Sequence, residues 1–180
     1  MNNTKGNRRD PEAKPEKSLH SGKKVDTINI LFCGTGGQGV LTASEVCGWA
    51  AIFDGYHVKK SEVHGMAQRG GSVESHLRFG RRVYSPLIPF GEVDYLVSFH
   101  KDEHSRLRNF LKAKGTDLIH YLEKAETLLH DKRQINTFIL GALSRFLPLK
   151  EESWIKALEA VFSHKNLEEN KKIFLQGRGG

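Results

Sequence analysis

The first apolar run, "INILFC" at residues 28–33, has no polar interruption beyond Asn29, as expected of a strand covered on both faces. A glycine cluster, "GTGGQG" at 34–39, follows at once, and then the period changes. Val40, Leu41, Val46, Trp49, Ala50 and Phe53 recur at helical spacing, and Asp54-Gly55 closes the segment. "YHVKKSEV" reads as a second strand, so the opening pattern is strand, glycine loop, helix, strand: a βαβ unit whose two strands run parallel. A polar loop at 61–71 interrupts, and "SVESHLRFGRRVY" then alternates, with Val73, Leu77 and Phe79 on one face and Glu74, His76 and Arg78 on the other. That pattern predicts a half-exposed strand turning at Gly80-Arg81 into a short extended piece near Val83-Tyr84. "VDYLVSF" at 93–99 predicts another central strand, 103–114 an amphipathic helix stopped by Gly115, and "DLIHYL" a last strand. From Gln134 onward the spacing is helical, over 134–147, 151–163 and 166–175, with a break at Pro148. The fold expected is α/β: a three-layer α/β/α Rossmann-like domain, with a mostly parallel sheet, an attached antiparallel hairpin and a helical C-terminal part.

Charge changes the picture at one end only. Residues 1–24 hold seven Lys/Arg against Asp10, Glu12 and Glu16, whereas the rest carries 21 basic and 18 acidic side chains. The net charge of +7 thus resides mostly in a polar, proline-broken tail, expected to be disordered over 1–26, ahead of one domain at 27–180. The body lacks a basic patch with interleaved aromatics, which argues against a nucleic-acid partner. No apolar run approaches a membrane span or the hydrophobic centre of a signal peptide, so no membrane partner and a cytoplasmic setting are expected. Two cysteines, Cys33 and Cys47, cannot ligate an iron–sulfur cluster, and zinc spacings are missing, so no metal site is expected. His100 and His104 share a helical face, but Lys101 stands where a zinc-protease motif needs Glu.

Gly34-Thr35-Gly36-Gly37-Gln38-Gly39 satisfies G-x-G-x-x-G between a strand and a helix. Such glycines allow a tight turn, close backbone approach to a ligand and close helix–strand packing, and the helix N-terminus favours an anion. The same glycines also serve a buried β–α corner with no ligand, and on this reading Gly36→Val crowds that corner. A dinucleotide site needs an acid at the end of the second strand, and Glu62 is the nearest candidate. No Gly-Lys-Ser/Thr follows, which excludes a Walker loop. In the second loop, Glu62 and His64 could form an acid–base pair, and Arg69, beside Gly70 and Gly71, could clamp a carboxylate or phosphate. Equally, the loop could lie flat against another chain.

"GTGGQGV", "SEVHGMAQRGGSVESHLRFG" and "VYSPLIPFGEVDYLV", in this order, resemble the gamma subunit of the 2-oxoacid:ferredoxin oxidoreductases, and most of all the small subunit of the indolepyruvate branch. The resemblance runs from Ile28 to about Leu175 and is strongest over 34–97. It implies a gamma-type domain at 27–180, acting as the accessory subunit of a complex that oxidatively decarboxylates a 2-oxoacid, here an aryl pyruvate, to the acyl-coenzyme A. It further implies that thiamine diphosphate, Mg2+ and iron–sulfur clusters reside on a larger partner subunit. Coenzyme A would be a co-substrate and ferredoxin the acceptor, and this chain alone would bind no cofactor. Gly34, Thr35, Gly36, Gly37, Gln38 and Gly39 carry over as a ligand- or partner-facing loop. Glu62, His64, Gly65, Gln68, Arg69, Gly70 and Gly71 carry over as a polar interface loop, and no catalytic residue carries over. Two features depart from the family pattern: a short stretch between Gly115 and Gln134, and the basic tail. A stand-alone nucleotide-dependent oxidoreductase and a non-catalytic scaffold of the same fold are the competing readings.

Overall fold

A computed structural model describes residues 27–65 and 70–180 of the chain; the predicted tail at 1–26 lies outside them. β1 (Thr27–Thr35), α1 (Val40–Phe53), β2 (His57–His64), β3 (Ser72–Gly80) and β4 (Val93–Ser98) follow in order. α2 (Lys101–Leu107), a 3-10 turn at Arg108–Phe110, β5 (Leu111–Asp117) and α3 (Ile119–Leu128) come next. α4 (Ile135–Leu143), α5 (Glu151–Val161) and α6 (His164–Gly179) complete the chain.

The five strands form one sheet in the order β2-β3-β1-β4-β5. β3 pairs antiparallel with both β1 and β2, whereas β1–β4 and β4–β5 are parallel. Four strands therefore share one direction, and β3 alone is reversed. β1 and β2 are parallel as expected, but they are not neighbours, because the returning arm of the hairpin is wedged between them. β3 is accordingly a central strand and not a half-exposed one. Its polar face is partly covered too: His76 is buried and Glu74 and Arg78 are half-buried, opposite the buried Val73, Ser75, Leu77 and Phe79.

The two sheet faces are unequally covered. Ile28, Ile30, Phe32, Leu77, Phe79 and Val97 join the large core made with α1 and α3–α6. On the other face, Leu31, Cys33 and Leu96 form a small cluster with Ile88, Val93 and Leu107, joined by the partly buried Phe110 and Leu111, under α2 and the segment 81–92. That segment contains no strand; the extended piece predicted near Val83 is irregular. The helix expected over 103–114 ends at Leu107, and Leu111–Asp117 becomes the edge strand β5. "DLIHYL" begins a helix instead of a strand, since Leu118, Tyr121, Leu122 and Ala125 bury one face at spacings of three and four.

Candidate functional site

The site is built at the edge where β1, β2 and β4 end and β3 begins. Gly34 and Thr35 close β1, and the chain turns through Gly36 and Gly37 into Gly39, which caps α1 with φ +76°. Gln38 folds back over the turn: its Oε1 accepts the Thr35 N–H at 2.7 Å, and its own N–H donates to the Thr35 carbonyl at 3.2 Å. No side chain caps the α1 N-terminus.

Two glycines set the shape of this corner. A Cβ on Gly34 would stand 2.8 Å from Gln38 Oε1 and 2.9 Å from Val40 Cγ2. One on Gly39 would run into the amide of Asn136, whose Nδ2 donates to the Gly39 carbonyl at 3.3 Å. Gly36, by contrast, has ordinary space, its nearest neighbour being the Gly70 N at 3.5 Å. The expected crowding of the corner therefore falls on Gly34 and Gly39 and not on Gly36.

The second loop meets the first directly. Gly36 N donates to the Gly71 carbonyl at 2.9 Å, and Gly65 N donates to the Ser72 carbonyl at 2.7 Å, closing the hairpin base. The two glycine clusters, 26 or more residues apart in sequence, thus form one continuous ledge. Glu62 and His64 belong to β2 and not to a loop. Glu62 pairs with Lys60 at 2.8 Å, and this cation, with His64, holds its carboxyl below the usual range. His64 Nε2 is 3.6 Å from Glu62 Oε2 and its side chain is half exposed, so the two form a loose surface contact and not a hydrogen-bonded acid–base pair. Gln68 and Arg69 lie outside the described residues.

The position of Glu62 bears on the nucleotide reading. A ribose-binding acid belongs on the strand next to the glycine loop. Here β3 intervenes, which sets β2 two strand spacings, roughly 9–10 Å, from β1. One loop donor, the Thr35 N–H, is also already taken by Gln38.

Below the ledge is a polar network that sequence reading did not identify. Arg106 Nη2 donates to Ser72 Oγ and Glu74 Oε1, each at 2.7 Å, and to Glu103 Oε2; Ser72 Oγ donates to Glu103 Oε2 at 2.7 Å. His76 and Arg106 together hold the Glu74 carboxyl below its usual range, the Arg106 contact being the shorter. The network fastens α2 to the start of β3. Its sequence signal was the pairing of Glu103 with Arg106 one helical turn on, which pointed to β3 only once the topology was known. Beside it, Cys33 Sγ donates to Ser98 Oγ at 3.2 Å, and burial pushes the thiol up to about 12.

Two shallow clefts flank the glycine loop. One, of about 280 Å³, runs from Gly37 and Gln38 along Phe99 to Leu122, Lys132 and Arg133. The other, of about 360 Å³, lies between Gly37–Gly39 and an amide-rich wall that includes Asn136, Asn166 and Asn170. Arg133 Nε and Nη2 donate to the two carboxylate oxygens of Asp131, so it presents little uncompensated charge.

The arrangement suits recognition better than bond making: glycine backbone, amides and paired charges, with its only cysteine protonated. The model of the pyruvate ferredoxin/flavodoxin oxidoreductase family matches residues 29–123 and 117–179, nearly all of the described chain. The chain belongs to this family. Its two matched stretches meet at residues 117–123, within the stretch expected to be short. The chain is 49% identical over 87 residues to indolepyruvate oxidoreductase subunit IorB of Thermococcus kodakarensis, 48% of this chain and 43% of that one. The match thus spans less than half the length of that relative. It is 30% identical over 161 residues to pyruvate synthase subunit PorC of Methanothermobacter thermautotrophicus, 79% of this chain and 89% of that subunit. Among solved structures, the gamma subunit of a keto/oxoacid ferredoxin oxidoreductase from Geobacter sulfurreducens superposes with TM-score 0.66 at 23% identity, over 83% of this chain and 95% of that one. The 2-oxoglutarate:ferredoxin oxidoreductase of Magnetococcus marinus gives 0.69 at 15% identity, over 86% and 31%. These likenesses establish the α/β fold of this family member, with its mixed five-stranded sheet and six helices.

Both thiols of this family member are shielded from solvent. Cys33 and Cys47 are buried on opposite faces of the sheet, and burial raises both thiols. Among the described residues no three His, Cys, Asp or Glu side chains converge as metal ligands, and no helix is long and apolar enough to cross a membrane.

Proposed function

We propose that this chain is the accessory subunit of a 2-oxoacid:ferredoxin oxidoreductase complex that acts on an aryl pyruvate such as indolepyruvate. A larger subunit carries thiamine diphosphate, its Mg2+ and the iron–sulfur clusters, coenzyme A takes the acyl group, and ferredoxin takes the electrons. The observation that carries this reading is the continuous ledge made by Gly36 and Gly71, in a chain that belongs to the family and has no convergent metal-ligand set among its described residues. A ledge of backbone and paired charges is a surface for another chain or a shared ligand to lie on. Support for the aryl substrate comes from the 49% identity with an indolepyruvate oxidoreductase subunit, against 30% with a pyruvate synthase subunit. The nucleotide-enzyme alternative gains nothing from the geometry, because β3 separates Glu62 from the glycine loop.

The test is reconstitution under anoxic conditions of the larger subunit with and without this chain, followed by 2-oxoacid-dependent dye reduction. Turnover of indolepyruvate or phenylpyruvate that exceeds turnover of pyruvate and requires this chain is the expected result. Full activity of the larger subunit alone would refute the subunit role, and a preference for pyruvate would refute the substrate assignment.

A further inference from the structure

The segment 81–92 covers the thin side of the sheet and has an unusual construction. It contains no regular structure, yet side chains from β1, β2 and β3 fasten its backbone along its length. His57 Nδ1 accepts from Val83 N at 3.0 Å, and the buried His76 Nδ1 accepts from Ile88 N at 3.2 Å. Arg78 Nη1 donates to the carbonyls of Ser85 and Leu87 at 3.0 and 3.1 Å, and Asn29 Nδ2 donates to that of Glu92 at 2.8 Å. Val83 and Ile88 turn inward and are buried, while Pro86 and Pro89 restrict the intervening backbone.

What this framework presents outward is apolar. Tyr84 is 82% exposed, Phe90 70% and Leu87 55%, and Phe110 meets the Phe90 ring edge-on at 5.1 Å. Large apolar side chains on a braced loop carry a hydration cost that a flexible loop would relieve by folding inward. Cations flank them along the chain: Arg81 and Arg82 precede Tyr84, Arg108 precedes Phe110, and all three are exposed and, among the described residues, join no ion pair. An aromatic and aliphatic centre with an arginine rim has the composition of a protein-binding hot spot, and its fixed backbone lowers the ordering cost of association.

We propose that Tyr84, Leu87 and Phe90 form a docking knob for the larger subunit of the complex, which receives them in an apolar pocket rimmed by carboxylates. The identity of the occupant rests on the subunit reading above. The acidic rim is inferred from the three uncompensated arginines, whose charge must meet its complement when the surface is covered. Another exposed apolar group, Trp49 stacked on Phe53 of α1, lies on the opposite face beside Lys60, which is already neutralised by Glu62.

The test is anoxic binding of the purified larger subunit to this chain at two ionic strengths, with sedimentation of each chain alone as a control. Leu87→Ser with Phe90→Ser is expected to weaken binding at least about tenfold without shifting the melting transition, as for hot-spot residues. Arg81→Glu with Arg82→Glu is expected to slow association and reduce its salt dependence, and Trp49→Ser with Phe53→Ser to leave affinity unchanged. If the wild-type chain binds and the knob variants bind equally well, this inference fails while the subunit reading stands. If the α1 variant loses as much affinity as the knob variants, the knob is not the docking site. If the wild-type chain does not bind, the subunit reading fails and the inference with it. A dimer of this chain that dissociates on knob substitution would make a second copy the occupant and overturn the assignment.

Discussion

Single residues decide the shape of the glycine ledge, and the three motif glycines are unequal in it. Gly39 is held at φ +76° with Asn136 occupying the place of its missing Cβ, whereas a Cβ on Gly36 would make only ordinary contacts. Gly39→Ala combines a left-handed backbone cost of roughly 1–2 kcal/mol with displacement of the Asn136 contact, so a loss of about 2 kcal/mol is expected by chemical denaturation. Gly36→Ala should change stability by less than about 0.5 kcal/mol, and equal losses at both positions would refute this division of roles. Arg106 provides a second test, through pH. His76 and Arg106 depress the Glu74 carboxyl in the folded state, so its contribution is complete above the ordinary glutamate value near 4.3. That contribution is lost as pH falls through the lower folded value. Arg106→Met leaves Glu74 and Glu103 without their shared cation. It should lower stability at neutral pH by about 1–2 kcal/mol and move the acid-unfolding midpoint upward in pH. An unmoved midpoint would mean that the pairing contributes nothing.

At the level of elements, the close crossing of α4 and α6 holds the helical side together. A Cβ on Gly141 would run into the carbonyl of Phe174, and one on Gly177 into that of Phe138, so the two helices pack backbone against backbone. Gly141→Ala or Gly177→Ala should each cost about 1–3 kcal/mol by overpacking, read as a lowered denaturation midpoint. A neutral effect at both would show that the helices can separate without loss. These glycines carried no sequence signal, because their requirement comes from a partner helix more than 30 residues away. The elements legible in the sequence were those whose period is local: β1, α1, β2, β3, β4 and the last three helices. α3 was misread although Leu118, Tyr121, Leu122 and Ala125 already gave a helical face, since a short apolar run near a Gly suits either element. β5 was missed because "LKAKGTD" has neither alternation nor bulk; pairing with β4, not propensity, makes it a strand.

For the whole molecule, the placement of β3 is what sequence could not supply. Local patterns indicated a glycine-loop βαβ unit, but an insertion between β1 and β2 is a choice among pairings that share the same periodicity. That insertion removes Glu62 from the glycine loop and brings Gly71 onto Gly36, turning an apparent nucleotide site into a ledge. The residues of the ledge were legible because glycine clusters are conspicuous; their union, and the Ser72–Glu74–Glu103–Arg106 network beneath, depend on topology. The unequal sheet faces have the same origin: five helices build the stable core on one side, leaving α2 and a braced loop on the other. On the proposed reading, this family member works as part of a larger assembly. The most direct measurement is anoxic co-purification of the tagged full chain with its partners, followed by mass spectrometry of the eluate. The account expects an iron-coloured complex with a larger cysteine-rich subunit in fixed stoichiometry, active on an aryl pyruvate with thiamine diphosphate and coenzyme A. A colourless chain that elutes alone, with no 2-oxoacid-dependent activity in the eluate, would contradict it.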